Sequence, residues 1–287
     1  MRKLSVGLLI GDKEPSRWFT RAVEQVVTEC GARVDRVVVP ETVNSGRDRS
    51  LRHYLGYALK NGCWTPMDLL NRLRDGGRMD EVRELRGEPI TSVSGVTPDL
   101  LTTCELKNVG TYRVALPDAE IRAMSDLDVV FHVGVGILSG GVLDSAKYGV
   151  WGVHHGDVRK YRGGPPGFWE YVNREETAVI TLQRYTEELD GGRVILENEV
   201  DISSARTWPE VRRIMCQETV SVFMKGVTRH VQEGKSTYSV DKLGPIYSRS
   251  DRNCVTLLKY LSRTVPGRIR IALNPDPAKL GDTEDDV

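Results

Sequence analysis

The sequence predicts an α/β fold that is doubly wound around a mainly parallel β-sheet, with a small α-rich appendage at its carboxyl end. Over residues 1–200, short apolar runs of strand length alternate with amphipathic stretches of helical period. Glycine-rich loops follow several of these runs, as at the carboxyl ends of strands in open α/β sheets. From residue 201 onward, two long apolar-periodic stretches predict helices. We therefore expect one α/β domain and a smaller helical unit.

Length and composition limit the classes of protein. A chain of 287 residues can form one substantial core with an appendage, and we predict a division into residues 1–200 and 201–287. Lys+Arg and Asp+Glu both total 40, so no overall charge attracts nucleic acid, and tRNA is an unlikely partner. The 5 cysteines show no metal-binding or disulfide spacing. The same cysteine spacing leads us to expect no metal. No apolar run is long enough to span a bilayer, so we expect a cytoplasmic protein.

The amino-terminal stretch predicts a β-α-β unit. An apolar strand ends at Ile10, an amphipathic helix ends near Gly31, and a second strand covers residues 34–39. The loop after the first strand contains the single Gly11 and lacks the G-x-G-x-x-G pattern of dinucleotide sites. We do not expect a nicotinamide cofactor.

A compositional shift marks residues 44–88 as a helical insertion, where substrate selectivity often lies. His53, Tyr54, Tyr57 and Trp64 either line a pocket or pack at helical spacing, and the second is more common. The residues 90–96 then predict an edge strand, and 117–124 predict a helix with Pro117 at its start.

The central stretch, 126–194, holds most of the polar residues that suggest chemistry. A strand at 126–132 leads into a glycine loop at 134–141 and a short helix at 142–148. The next strand, 150–153, delivers His154 and His155 to a loop at its carboxyl end. After a helix at 167–173 and a strand at 178–183, the chain reaches Asp190 before a further strand at 193–196. His154 and Asp190 are thus predicted at the ends of neighbouring elements.

Three motifs in this stretch carry a resemblance to a known family. They are Gly152-Val-His154, the loop from His155 to Tyr161-Arg-Gly163, and Leu189-Asp-Gly-Gly-Arg193. The stretch resembles the amino-terminal domain of the 10-formyltetrahydrofolate-dependent formyltransferases, whose pattern is Asn-x-His, a loop ending Tyr/Trp-Arg-Gly, and Leu-Asp-Thr-Gly-Asp. That family includes methionyl-tRNA, glycinamide ribonucleotide and amino-sugar formyltransferases.

The resemblance implies roles for individual residues. His154 would be the oxyanion donor or acid-base group, with Asp190 as its partner. Tetrahydrofolate would be contacted largely through the backbone of two loops, and the acceptor would approach from the side of a basic loop. The residues concerned are Gly134, Gly136, Ile137, Leu138, Leu189 and Gly191 for the folate, and Arg159, Tyr161 and Arg162 for the acceptor.

Gly152 departs from the family pattern, because it replaces the asparagine whose side chain stabilises the oxyanion. Loss of one such donor typically costs about 10²–10³ in rate. Three explanations stay open: His155 or a substrate group replaces the donor, the acceptor is unusual, or catalysis is lost. The expected function is formyl transfer from 10-formyltetrahydrofolate to an amine of a small, phosphorylated or nucleotide-linked metabolite. The alternatives are a 10-formyltetrahydrofolate hydrolase and a non-catalytic folate or nucleotide binder.

The carboxyl-terminal part predicts a helix from Trp208 to about Val231 and a final helix from Asp251 to Arg263. In the final helix, the apolar period predicts that Val255, Leu257, Leu258 and Leu261 face inward. Such an appendage does not look like the β-rich domain that methionyl-tRNA formyltransferases add, which again disfavours tRNA. The long helix could cover the sheet or form a homodimer. The acidic end of the chain predicts a disordered tail.

Overall fold

The computed structural model describes residues 3–41, 62–64, 66, 82–110, 112–248 and 251–273. It opens with the expected β-α-β unit: strand β1 (Ser5–Ile10), helix α1 (Arg17–Glu29) and strand β2 (Arg33–Glu41). The other elements follow in chain order: β3 (Leu101–Glu105), β4 (Lys107–Gly110), β5 (Arg113–Ala115), α2 (Asp118–Ala123), β6 (Val129–Val133), β7 (Ile137–Leu138), β8 (Val150–His155), β9 (Arg162–Gly163), α3 (Phe168–Val172), β10 (Thr177–Arg184), β11 (Arg193–Asp201), α4 (Trp208–Gly226), β12 (Ile246–Tyr247) and α5 (Cys254–Leu273).

The main sheet in the described part of the chain has seven strands in the order β11-β10-β8-β6-β1-β2-β3. Strands β3, β2, β1, β6 and β8 are parallel, whereas β10 is antiparallel to both of its neighbours. The chain runs outward from β1 in both directions, so the strand order reverses beside β1, and ligands of such sheets bind at the carboxyl ends of the strands near this reversal. The predicted fold class is confirmed.

Each face of the sheet is covered by its own apolar layer. On one face, α1 and α4 pack with Phe19 and Phe223, whose ring centroids are 6.0 Å apart, and Phe223 also contacts Phe131 of β6 at 4.7 Å. The opposite layer contains Val130, Val150 and residues around α2. Because side chains alternate along a strand, neighbouring residues of β6 and β8 belong to different layers. Burying each large apolar side chain contributes about 1.5–3 kcal/mol.

Three local predictions differ from the structure. Residues Ile90–Ser92 form a 3₁₀ turn, and the edge strand is instead β3, which is short and carries two threonines. Residues Gly140–Asp144 also form a 3₁₀ turn, where glycine and the short length do not sustain an α-helix. In addition, Cys63 and Cys254 form a disulfide with Cα atoms 5.7 Å apart, which their separation of 191 residues concealed.

The carboxyl-terminal helices pack in two different places. Helix α4 joins the main core through Val211, Met215 and Phe223. Helix α5 packs on α3 and on Trp64, whose indole donates to the Asn253 carbonyl at 2.9 Å. The division at residue 200 stays a prediction. His53, Tyr54 and Tyr57 of the predicted insertion, and the acidic tail, lie outside the described residues. None of the described helices has the length and apolar character to span a bilayer.

Candidate functional site

The candidate site lies on one face of the sheet, at the carboxyl ends of the parallel strands β6 and β8 and beside β10, which runs antiparallel to β8. Strand β8 continues through His155, two residues beyond the predicted end. Gly152 and His154 share the face that carries Val150, whereas Trp151 belongs to the opposite layer. In the antiparallel pair with β10, His154 lies opposite Thr181 and Gly152 lies opposite Gln183. The site is therefore built across three adjacent strands.

His154 and Asp190 meet as the sequence predicts. The Nδ1 atom of His154 lies 3.5 Å from Oδ1 of Asp190, an ion-pair distance, and the imidazole is only 8% exposed. Asp190 adopts a left-handed conformation with φ of 47°, and its other oxygen accepts a hydrogen bond from the Gly163 amide at 2.7 Å. Because a carbonyl can only accept, the Nε2–H of His154 is the donor in its 2.7 Å bond to the Tyr161 carbonyl. Both ring nitrogens thus have partners within the protein.

His155 does not belong to this cluster, which corrects its predicted catalytic role. Its ring packs edge-on against Trp18 of α1, with centroids 5.6 Å apart, and its Nε2 lies 2.8 Å from the Thr219 hydroxyl of α4. That hydroxyl donates to the Met215 carbonyl at 2.7 Å, so His155 is the donor to Thr219. Burial lowers the pKa of His155 to about 3. A neutral histidine on the opposite face of the sheet cannot replace the missing asparagine.

Tyr185 occupies the space that a side chain at position 152 would fill. A Cβ atom built on Gly152 would lie 1.9 Å from the Tyr185 hydroxyl oxygen and 2.3 Å from the adjacent ring carbon. The hydroxyl lies 3.3 Å from Nδ1 of His132, at the end of β6. Only glycine at 152 is compatible with this position of the phenol ring.

Buried nitrogen atoms flank Gly152. The Nε2 atoms of His132 and Gln183 are buried, and neither has a hydrogen-bond partner among the described residues. Burial lowers the pKa of His132 to about 4, so the ring is neutral at physiological pH. Buried polar groups without protein partners are rare and are often found where a ligand or water binds.

Sequence reasoning missed Tyr185, His132 and Gln183. Their spacing forms no motif, because they come together only through the pairing of β10 with β8 and of β8 with β6. The one signal available in advance was Gly152 itself, since a glycine inside a strand often marks a close approach by another group.

Two loops border the site, as the resemblance implies for a folate site. In the first, Gly134 and Gly136 have φ of 77° and 97°, and Ile137–Leu138 pairs with β5. Glu187 joins the second loop to the first by accepting hydrogen bonds from the Gly140 amide and the Ser139 hydroxyl, each at 2.7 Å. The Gly140 amide accordingly lowers the pKa of Glu187.

Leu189 and Gly191 lie in the second loop. The Leu189 carbonyl accepts a hydrogen bond from Nε of Arg162 at 2.9 Å, and Gly191 lies against Glu188 and Leu243. The first and second loops are therefore held next to each other and to the site by bonds within the protein.

The predicted acceptor residues are engaged by protein groups. Arg162 is 7% exposed, and each of its guanidinium nitrogens bonds to a carbonyl or to Glu188. Arg159 pairs with Asp157 at 3.2 Å and with Glu197 at 2.5 Å. The Tyr161 hydroxyl donates to a carboxylate, and its carbonyl accepts from His154. These contacts make Arg162 a structural link between loops, not an anion-binding group.

Glu170 of α3 lies behind His154. A Cβ atom on Gly156 would be 2.7 Å from Nε2 of His154 and 3.4 Å from Oε1 of Glu170, so the two groups border the same small volume. Glu170 is buried, and its Oε1 has no hydrogen-bond partner in the described part of the chain. Burial raises the pKa of this carboxyl group to about 7.

The chain is similar to known proteins in sequence over part of its length and in fold over most of it. No family model matches the chain. The chain is 39% identical over 90 residues to methionyl-tRNA formyltransferase of Fusobacterium nucleatum, covering 31% of this chain and 29% of that enzyme. It is 29% identical over 144 residues to the bifunctional polymyxin resistance protein ArnA of Wigglesworthia glossinidia brevipalpis, covering 46% of this chain and 22% of that protein. The chain thus matches well under half of these curated relatives.

Solved structures share the fold over a larger part of the chain. A sugar N-formyltransferase from a Shewanella species superimposes with a TM-score of 0.53 at 13% identity, covering 90% of this chain and 88% of that one. Phosphoribosylglycinamide formyltransferase from Anaplasma phagocytophilum gives a TM-score of 0.52 at 15% identity, covering 86% of this chain and 100% of that one.

The described structure is therefore an α/β domain with the formyltransferase fold. In sequence, the chain is similar to formyltransferases over stretches of 90 to 144 residues, which confirms the resemblance inferred from its motifs.

Proposed function

We propose that the protein is an N-formyltransferase that moves a formyl group from 10-formyltetrahydrofolate to the amine of a small metabolite. The observation that carries the proposal is the pair of a buried His154 and a half-buried Asp190 at the carboxyl end of β8. A histidine and a carboxylate at this distance can hold and move a proton beside a reacting carbonyl group. Fold similarity alone would not support the activity, since one fold serves many functions.

The reaction needs two things from the protein: removal of a proton from the amine and stabilisation of negative charge on the formyl oxygen. In the proposed site, Asp190 orients His154 and assists proton removal from the attacking nitrogen. The amine nitrogen bonds to the formyl carbon, and collapse of the tetrahedral intermediate breaks the bond to N10 of the folate. N10 receives a proton as it leaves. Preorganised donors near the oxygen lower this barrier without reorganisation.

The residues around the site fit the proposed donor. The two loops joined by Glu187, which contain residues 136–138 and 189–191, border the site and would hold the heterocycle of the donor between them. The buried Nε2 atoms of His132 and Gln183 offer partners for polar atoms of the donor or the acceptor.

For the acceptor we propose the amine of a sugar- or ribose-based metabolite that carries a phosphate or a nucleotide. Sugar N-formyltransferases and phosphoribosylglycinamide formyltransferase, which share this fold, support that class. The balanced formal charge supports a small molecule over tRNA. Since Arg159 and Arg162 are paired with protein carboxylates, the anionic part of the acceptor would bind elsewhere in the chain.

The first test is calorimetric titration with 5-formyltetrahydrofolate, a stable analogue of the proposed donor. Wild-type protein should bind with micromolar affinity. Transfer is then measured with 10-formyltetrahydrofolate and a panel of amino-sugar nucleotides and phosphoribosyl amines, by release of tetrahydrofolate and by the mass of the formylated product. Asp190→Asn is the inactive control, because asparagine tolerates the left-handed backbone at this position.

Absence of binding at millimolar ligand would contradict the proposal and leave only a shared fold. Binding with formate release in the absence of any amine, and without transfer to any acceptor, would instead identify a 10-formyltetrahydrofolate hydrolase. Binding without turnover of either kind would identify a folate-binding protein that has lost catalysis.

A further inference from the structure

We propose that the Tyr185 hydroxyl is the oxyanion donor in this protein, in the place that a side chain at position 152 would otherwise occupy. This inference rests on the proposed formyl transfer and adds a catalytic residue to it. It explains why Gly152 and a tyrosine at 185 occur together in one chain.

The first argument is spatial. The hydroxyl oxygen of Tyr185 lies 1.9 Å from the position of a Cβ atom on Gly152, nearer than any other described atom. The phenol oxygen thus reaches into the volume where a side chain of residue 152 would begin. Gly152 is two residues before His154 on the same face of β8, so this hydroxyl lies beside the acid-base pair. The phenol hydroxyl therefore places a hydrogen-bond donor in the space where Gly152 has no side chain to supply one.

The second argument is chemical. Burial first, and the nearby Asp190 carboxylate second, raise the pKa of Tyr185, so the phenol keeps its proton at neutral pH and can donate. The Nδ1 atom of neutral His132 lies 3.3 Å from the phenol oxygen. In the tautomer that carries hydrogen on Nδ1, His132 donates to the phenol oxygen and leaves the phenol proton free to point at a substrate oxygen. His132 then acts as a positioning residue.

The third argument is availability. The Nε2–H of His154 is donated to the Tyr161 carbonyl and its Nδ1 faces Asp190, so this ring is committed to partners within the protein. The Tyr185 ring is only partly covered, because its side chain lies at the edge of the smaller apolar layer. Of the two groups, Tyr185 can turn its proton toward a ligand without breaking a bond to the backbone.

Tyr185→Phe is the decisive variant, since it removes the hydroxyl and retains the ring that packs beside Gly152. We expect kcat to fall by about 10²–10³, the usual cost of one oxyanion donor, with KM for the folate changed less than threefold or so. Circular dichroism and thermal unfolding check that the fold is retained. A kcat of Tyr185→Phe within about twofold of wild type would overturn the inference while leaving the proposed function intact.

A second set of variants exchanges the donor. Gly152→Asn alone should clash with the phenol and lower activity, whereas Gly152→Asn combined with Tyr185→Ala should regain at least about tenfold over Tyr185→Ala alone. An equal rescue by Gly152→Leu in the Tyr185→Ala background would show that Tyr185 only fills space, and would overturn the inference. Gln183→Met tests the neighbouring amide, because a loss confined to this variant would make Gln183 the donor and overturn the inference.

The failures of the two proposals are distinguishable. Both proposals would be overturned if the wild-type protein neither transferred nor hydrolysed formyl groups while the Gly152→Asn, Tyr185→Ala double variant was active. Native Tyr185 would then block a site that asparagine restores. An active wild type that is indifferent to Tyr185→Phe overturns the donor assignment alone.

Discussion

The two faces of β8 place adjacent histidines in contrasting environments. His154 faces Asp190 and the loops that border the site, whereas His155 is enclosed between Trp18 of α1 and Thr219 of α4. The two histidines are adjacent in the chain, and they differ only because successive side chains of a strand point to opposite faces of the sheet. The difference teaches that a histidine pair in sequence is not a functional pair, because the layer against which each ring packs decides its chemistry.

The sharpest test of this contrast is His154→Ala. We expect turnover to fall by about 10²–10⁴, the usual contribution of a positioned acid-base group, because the His154–Asp190 pair that assists removal of the amine proton is broken. Single-turnover rates at saturating 10-formyltetrahydrofolate measure the effect, with thermal unfolding as the check on folding. Wild-type rates in this variant would remove His154 from the catalytic set.

Asp190→Asn should have the next largest effect, a loss of about 10²–10³ in kcat. The amide keeps the shape of the side chain and one acceptor for the Gly163 amide, and removes the charge that faces Nδ1 of His154. Steady-state kinetics across pH distinguish a lost charge from a disturbed loop. An unchanged kcat together with a raised KM would instead indicate that Asp190 only holds the loop.

Glu170 extends the comparison to a buried carboxyl group whose Oε1 lacks a hydrogen-bond partner among the described residues. Its folded-state pKa of about 7 lies above the usual pKa of 4.5 for a glutamate, so its contribution to stability is present below pH 4.5 and is lost as pH rises through 7. Relative to Glu170→Gln, wild type should lose roughly 2–3 kcal/mol of unfolding free energy between pH 5 and pH 8. Denaturant unfolding at both pH values measures this, and parallel pH profiles would show that the carboxyl group is not desolvated.

His155→Leu should produce the smallest effect, and on stability alone. The variant loses the hydrogen bond to Thr219 and retains apolar contact with Trp18, which predicts a destabilisation of roughly 0.5–1.5 kcal/mol. Turnover per folded molecule should match wild type. A tenfold loss of kcat without loss of stability would mean that the two faces of β8 are coupled, and the contrast drawn above would fail.

The sequence was sufficient for the sheet and for the His154–Asp190 pair, because periodicity and motif spacing are local signals. It was insufficient for Tyr185 and His132, whose contact depends on which strands pair and in which register. Local periodicity also misled in α5. Val255 and Leu258 were expected to face inward, yet they are 62% and 67% exposed.

Helix α5 buries the face that carries Thr256, Tyr260, Thr264 and Gly267. Trp64 and Phe168 form the aromatic surface that this face packs against, with Tyr260 ring centroids 5.4 Å and 6.1 Å from theirs. Trp64 comes from a part of the chain distant in sequence, so hydrophobicity along α5 alone could not indicate the buried face.

Gly152 and Tyr185 also bear on how such a site can change over time. Since a Cβ atom at 152 and the phenol oxygen would occupy the same volume, a larger residue at 152 requires that the ring at 185 move away or be replaced. Removing the ring first leaves the site without either donor. If Tyr185 is the donor, exchanging it for asparagine therefore requires two substitutions, each of which would lower activity when made alone.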